Sequence, residues 1–268
     1  MNFWKYQGAG NDFIMVDQRT HTSLKREDTD KIARYCDRRF GIGADGLILL
    51  QNHPDFDFEM VYFNADGRES SMCGNGGRCI TAFAQQLDIF EEKCTFLAID
   101  GLHEAIIRQD TPSGTFWVEL KMVDVQHIEL LEDAFVLNTG SPHYVRFETA
   151  LLDKNMVEEG RAIRYNTRFK ADGINVNLAS IQPEGLQIRT YERGVEDETL
   201  ACGTGITATA LAHRLYTGSQ RGQSEVVVNA MGGKLSVRFF DNGDGTFSDI
   251  WLCGPAVVVF EGNMVDGI

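Results

Sequence analysis

Two cysteines in this chain stand in the same unusual setting. Cys73 opens Cys-Gly-Asn-Gly and Cys202 opens Cys-Gly-Thr-Gly, and each is followed by a run rich in Ala and Thr that reads as a helix. A free thiol ionises near about 8.5, and a helix N-terminus lowers that value because its unpaired N–H groups favour the thiolate. Gly74 and Gly76 in one motif, and Gly203 and Gly205 in the other, would let the main chain approach a ligand and aim N–H groups at a carboxylate. Two such thiols suit inversion at a carbon. A thiolate removes the proton from one face, a thiol delivers another to the opposite face, and the roles exchange for the reverse reaction. An α-proton is far less acidic than a thiol, so charge stabilisation must carry much of the barrier. Each N–H directed at the developing enediolate would supply about 3 kcal/mol, and fixed placement between the thiols lowers the entropic cost. The scheme requires neither a metal nor pyridoxal; no cofactor is expected.

The elements that must position these thiols are themselves repeated. Tyr62 precedes Cys73 by 11 positions and Tyr191 precedes Cys202 by 11, so both pairs share an offset of 129. Upstream, Ala44-Asp45-Gly46-Leu47 returns as Ala171-Asp172-Gly173-Ile174 at an offset of 127. Three features recurring in the same order indicate a duplicated unit. In the first copy, hydrophobic patterning predicts strands over Phe3 to Tyr6, Phe13 to Asp17, Leu47 to Leu50 and Phe58 to Phe63. It also predicts a capped amphipathic helix over Asp28 to Arg39, a helix after Cys73 and a meander from Cys94 to Leu120. The second copy repeats this with strands near Val136, Tyr144, Asn175 and Ile188, a helix after Cys202, and strands from Val226 to Val259. The expected form is two similar α/β lobes, residues 1–117 and 118–256, with the active site in a cleft between them.

Composition narrows the function classes. The 268 residues are 43% apolar, enough for a substantial core. A net charge of −14, from 25 basic and 39 acidic side chains, argues against a surface that tracks phosphates, so no nucleic acid is expected as partner. No apolar run approaches the roughly 20 residues of a spanning helix, and the first residues lack a secretion signal. The expectation is a cytoplasmic protein with no membrane partner, its six cysteines reduced. Cys36, Cys79, Cys94 and Cys253 lack the glycine setting and read as packing residues. Zinc is a poor explanation, since there is no Cys-x-x-Cys pair and the histidines form no ligand-spaced cluster. Gly41 to Gly46 satisfies G-x-G-x-x-G, but it follows a helix and opens a strand, which makes it a structural turn rather than a dinucleotide site. On residue type alone, His143 is a polar residue at a Pro turn, Glu192-Arg193 a solvated strand end, and Asn11, Asn64 and Asn175 turn or capping residues.

Five motifs together change that reading. Gly8 to Phe13 (GAGNDF), Phe63 to Gly67 (FNADG), Met72 to Cys79 (MCGNGGRC), Tyr191 to Gly194 (YERG) and Ala201 to Gly205 (ACGTG) closely resemble the signatures of the diaminopimelate epimerase family, in its order and spacing. The resemblance extends over nearly the whole chain. It implies cofactor-independent conversion of LL-2,6-diaminopimelate to the meso form, in lysine and peptidoglycan biosynthesis. It also implies pseudo-symmetric lobes, each a mixed or antiparallel sheet curled around a central helix, with residues 257–268 completing the first lobe and the protein forming a homodimer. Cys73 and Cys202 match the family's catalytic pair, and Gly74-Asn75 and Gly203-Thr204 its carboxylate-cradling turns. Asn11, Asn64, Asn175, Glu192 and Arg193 match its substrate contacts, while His143 and Glu192 match positions that tune the thiols. The remote end of the substrate is a second amino-carboxylate, which an Arg fork and amide or carboxylate oxygens can hold. Three positions depart from the family: Ser141 where it often has Asn, Gly46 where many members have Gln, and Phe260 where a dimer-supporting Tyr is common. The roles of Ser141 and Gly46 are not carried over.

A proline racemase-like enzyme, or another amino-acid racemase, is the close alternative, because it also uses two cysteines in Cys-Gly-x-Gly settings. YERG and FNADG favour the longer, doubly zwitterionic substrate. A non-catalytic amino-acid-binding protein would not need matched thiols, and a thiol-redox pair is usually close in sequence.

Overall fold

The computed structural model describes residues 1–108, 114–218 and 220–265. In chain order the elements are β1 (Asn2–Gly8), β2 (Asn11–Asp17), α1 (Thr29–Cys36), β3 (Gly46–Gln51), β4 (Phe58–Asn64), α2 (Gly74–Gln86), β5 (Lys93–Ala98), β6 (Gly101–Arg108) and β7 (Thr115–Lys121). They continue with β8 (Ile128–Leu130), β9 (Phe135–Asn138), β10 (Pro142–Phe147), α3 (Met156–Arg164), β11 (Asn175–Gln182), β12 (Gly185–Glu192), β13 (Asp197–Thr199), α4 (Gly203–Thr217), β14 (Gly222–Ala230), β15 (Gly233–Asp241) and β16 (Phe247–Asn263). The chain forms two compact units, Met1–Leu120 with Gly254–Ile268, and Lys121–Cys253. The divisions expected from the sequence fall at 117/118 and 256/257, three residues from each of these. Residues 109–113 of the expected meander and 266–268 of the expected returning segment lie outside the described residues.

In the first unit the strands run β1-β2-β3-β4-β5-β6-β7, and the second half of β16 pairs with both β7 and β1, closing the ring. The β2–β3 and β4–β5 pairs are parallel, and the connections that parallel pairing requires contain α1 and α2. Both faces of β2 and β3 are buried. Phe13, Met15, Ile48 and Leu50 pack with Ile80 and Phe83 of α2, whereas Ile14, Val16, Leu47 and Leu49 pack with Ile32 and Tyr35 of α1. This explains the unbroken apolar runs in these strands, since a strand covered on both faces does not alternate.

The second unit repeats the plan. Its strands run β8-β9-β10-β11-β12-β14-β15 and then the first half of β16, with β13 on β12. Again two neighbouring pairs are parallel, β10–β11 and β12–β14, with α3 and α4 in their connections. Val176, Leu178 and Tyr191 pack with Met156 of α3. By strand alternation Asn175 and Asn177 occupy the other face, and β11 contacts α4 as well as α3.

The two thiol helices are buried over most of their length, from Asn75 to Ala84 in α2 and through most of Gly203 to Ala212 in α4, so the polar side chains they carry there need partners inside the protein. Their buried threonines, Thr81, Thr207 and Thr209, donate to the carbonyls four residues back, which satisfies each hydroxyl inside its own helix. α4 ends at Gly218, whose φ of 107° suits a residue without Cβ.

Two expectations need correction. The helix predicted over Asp28 to Arg39 stops at Cys36: Asp37 is extended, and its carboxylate accepts from the N–H groups of Arg39 and Phe40. Its N-cap, Asp28, makes no side-chain cap and accepts instead from the Lys25 N–H. α3 was not expected. Gly160 in its middle weakens the helical signal, yet a Cβ there would lie 2.4 Å from the Tyr191 ring, so only glycine lets the helix sit on β12.

Candidate active site

Cys73 is the N-cap of α2. Its backbone is extended, with φ −98° and ψ 147°, and its Sγ accepts from the Gly76 N–H at 3.2 Å. An amide can only donate, so this contact favours the charged sulfur over the neutral thiol. Cys202 occupies the same place on α4, with φ −108° and ψ 112°, but there the neighbour is a side chain: the Thr204 hydroxyl lies 3.4 Å from Sγ. A hydroxyl can donate or accept, so it can serve either protonation state. Cys73 is half-buried, and Cys202 is only 8% exposed.

The second glycine of each motif makes room for the protein's own groups rather than open space for a ligand. A Cβ on Gly76 would meet Cys73 Sγ at 3.2 Å and Ile48 Cδ1 at 3.3 Å, and one on Gly205 would lie 2.4 Å from Asn177 Oδ1.

Around Cys73 a charged network holds the neighbouring amides. Arg78, fully buried in α2, donates to Asn75 Oδ1 at 2.9 Å and to the Gly74 carbonyl at 3.2 Å. Asn75 donates to Asn11, and Asn11 donates to Asp45 Oδ2 at 2.9 Å. Arg38 then bridges Asp45 and Asp12, and Lys5 pairs with Asp12 at 2.8 Å. Burial alone would raise the Asp12 carboxyl, but hydrogen bonds from Arg38 and Lys5 outweigh it and hold the group at about 2. Asn64 stands apart. It is exposed at the end of β4, where its main chain closes a turn with Gly67 and Arg68. Gly46, paired with Asn64 across the sheet, has no room for a side chain, because a Cβ would lie 2.5 Å from the Phe63 carbonyl oxygen.

Around Cys202 the groups are mostly neutral. Thr204 accepts or donates at 2.9 Å with His143 Nε2, and His143 Nδ1 lies 3.0 Å from Asn177 Nδ2. Burial first, and then the Arg193 charge, push the His143 imidazole down to about 3, so the ring is neutral at physiological pH. A second cluster forms at the ends of β10, β11 and β12. Asn175 donates to Ser141 Oγ at 2.9 Å and to the Pro142 carbonyl at 3.0 Å, and accepts from the Arg193 N–H at 2.8 Å. The Arg193 guanidinium donates to the Asp172 carbonyl at 3.0 Å. Glu192 accepts from the Thr199 hydroxyl at 2.9 Å, and burial raises its carboxyl despite that bond.

The other four cysteines are buried, and burial pushes the Cys36 and Cys94 thiols up to about 12. Gly43, in the G-x-G-x-x-G segment, has φ 81° and would place a Cβ 2.9 Å from Arg38 Cα. This glycine therefore serves a tight turn before β3.

Comparison with known proteins decides the family. The diaminopimelate epimerase family model matches residues 3–128 and 135–259, one segment for each half of the chain. The chain belongs to the diaminopimelate epimerase family. Curated epimerases of that name include one from Flavobacterium psychrophilum, 48% identical over 97% of this chain and 99% of its own. Another, from Aquifex aeolicus, is 35% identical over 100% of this chain and 99% of its own. Among solved structures, a phenazine biosynthesis protein of the PhzF family from Bacillus anthracis superposes with a TM-score of 0.76 at 14% identity, covering 99% of both chains. A probable proline racemase from Agrobacterium radiobacter gives a TM-score of 0.67 at 14% identity, covering 99% of this chain and 93% of that one. At such low identity these structures establish a shared two-unit fold of mixed α/β type.

Four residues in these networks have no site role in the sequence analysis: Arg78, Asp45, Thr199 and Asn177. Asn177 carried a usable signal. It is the second polar residue of Asn-Val-Asn at the start of a strand whose first six residues are buried, and such a residue must be paired inside.

Proposed function

We propose that this protein epimerises LL-2,6-diaminopimelate to the meso form, with Cys73 and Cys202 exchanging protons at opposite faces of one α-carbon. The observation that carries the reading is the duplicated thiol at a helix N-terminus, within a chain of the diaminopimelate epimerase family. In one direction a thiolate takes the α-proton and becomes a thiol, while the other thiol gives its proton to the carbanion and becomes a thiolate. N–H groups of the turns at Gly74-Asn75 and Gly203-Thr204 stabilise the carboxylate as it gains enediolate character. Asn11, Asn64, Asn175, Glu192 and Arg193 hold the remote amino-carboxylate, with Arg193 suited to the carboxylate and Glu192 to the ammonium. His143 and Glu192 tune the thiols. The same reading makes the enzyme a cytoplasmic homodimer of lysine and peptidoglycan biosynthesis.

Turnover of LL-diaminopimelate in heavy water, without added cofactor, should place deuterium at the α-carbon. Cys73→Ala and Cys202→Ala should each lower epimerisation by at least about 100-fold, the scale of one lost acid or base. Wild-type rates in either variant would end the two-thiol mechanism. Equal or faster racemisation of proline would favour the alternative reading instead.

A further inference from the structure

We propose that Asn177 is a positioning residue that fixes which nitrogen of His143 carries the proton, and thereby turns the Thr204 hydroxyl hydrogen toward Cys202. The inference rests on the proposed role of Cys202 and extends it to a residue that acts through two others.

The orientation of the Asn177 amide is decided by a group that can only accept. Its Nδ2 lies 3.0 Å from the Tyr144 carbonyl oxygen, so the nitrogen end must be there. Its Oδ1 accepts from the Thr190 hydroxyl at 3.0 Å, as the register directs by setting Asn177 opposite Thr190. One N–H of the amide goes to Tyr144, and the other points at His143 Nδ1, 3.0 Å away. An amide NH2 has no acceptor capacity, so Nδ1 is the unprotonated nitrogen and the proton of the neutral ring is on Nε2. That Nε2–H donates to Thr204 Oγ1 at 2.9 Å. The threonine's single hydrogen is thereby left to donate, and Cys202 Sγ lies 3.4 Å from the same oxygen.

Asn177 and His143 are fully buried, and Thr190 is only 3% exposed, so water does not compete for these bonds. The relay therefore ends in a donor aimed at sulfur, and it carries no net charge. The second glycine of the motif belongs to the same device, because any Cβ at Gly205 would press within 2.4 Å of the Asn177 amide oxygen.

The test is nitrogen NMR on protein labelled at histidine, read together with alkylation of Cys202 by iodoacetamide in a Cys73→Ala background. The wild-type spectrum should show His143 as a single neutral form protonated at Nε2. A proton on Nδ1, or on both nitrogens, at neutral pH would overturn the proposal. Asn177→Leu should redistribute the proton onto Nδ1 and slow Cys202 alkylation several-fold; an unchanged tautomer would show that Asn177 does not set it. Thr204→Val should slow alkylation while leaving the tautomer in place, and unchanged alkylation would break the last link. These readouts do not depend on substrate. Loss of the epimerase reading would appear separately, as failure of the wild-type enzyme to exchange deuterium into diaminopimelate.

Discussion

The two cysteines sit at matching positions in a duplicated scaffold, yet they are served by different chemistry. Beside Cys73 the donor is main chain, and the supporting network is ionic, anchored by Arg78 at one end and by Asp45 with Arg38 at the other. Beside Cys202 the donor is a side-chain hydroxyl, and the support is neutral, anchored on the Tyr144 carbonyl. Duplication supplied the helix N-terminus twice, because that follows from the strand-turn-helix path. The group beside each sulfur differs between the copies, main chain at Cys73 and the Thr204 side chain at Cys202. Under the proposed two-thiol mechanism each sulfur is acceptor in one direction and donor in the other, so unlike surroundings within a duplicated frame would bias the pair rather than fix its roles.

The largest expected difference lies in what each network costs to break. Arg78→Met leaves Asn75 Oδ1 and the Gly74 carbonyl without their charged donor in a buried site, and should cost about 3 kcal/mol. Urea denaturation should show it as an earlier midpoint, and an unchanged midpoint would mean the ionic network contributes nothing net.

Acid should distinguish the networks next. Burial pushes the folded His143 imidazole down to about 3 from the ordinary 6.5, so between these values the unfolded chain binds the extra proton. Stability should therefore fall as pH drops below about 6.5, by about 1.4 kcal/mol per pH unit from this group, and stop falling near 3. Asp12 behaves differently. Its folded value of about 2 lies below the unfolded one of 3.8, so its contribution persists until pH falls under about 4. In His143→Gln the slope of stability between pH 6 and 4 should shrink by about 1.4 kcal/mol per pH unit, the His143 share, with the rest of the acid dependence retained.

The smallest test uses the same position of the two motifs. Gly205→Ala drives a Cβ against Asn177 and should cost about 2 kcal/mol. Gly76→Ala meets only a tight sulfur and a methyl group, and the gain in helix propensity, about 1 kcal/mol, should nearly cancel the crowding. Thermal midpoints that shift equally would show that the two helices tolerate substitution alike.

Much of this architecture was legible in the sequence, and the gaps have physical causes. The paired motifs exposed the duplication, and apolar runs marked the buried strands. α3 was missed because its one interior glycine answers to a tyrosine ring on a strand about thirty residues away, a contact that no local pattern encodes. α1 was drawn too long because Asp37 ends it with a side-chain turn, and the basic residues beyond continue an apparently helical composition. The thiols and their glycines were found as a motif. Asn177 was not, since its importance comes from register: it faces Thr190 across one strand pair and reaches the His143 ring across the other. The amides named through resemblance met differing fates, with Asn11 and Asn175 inside bonded clusters and Asn64 at an exposed turn.

The last strand has a consequence for synthesis on the ribosome. Residues 1–120 emerge first, but the ring they build stays open until 254–263 arrive to pair with β1 and β7. For the time needed to translate about half the protein, those two strands present unpaired edges, the kind of surface on which nascent chains associate wrongly. The second unit has no such wait, since all of it lies between Lys121 and Cys253. The half made later can therefore be the first to finish.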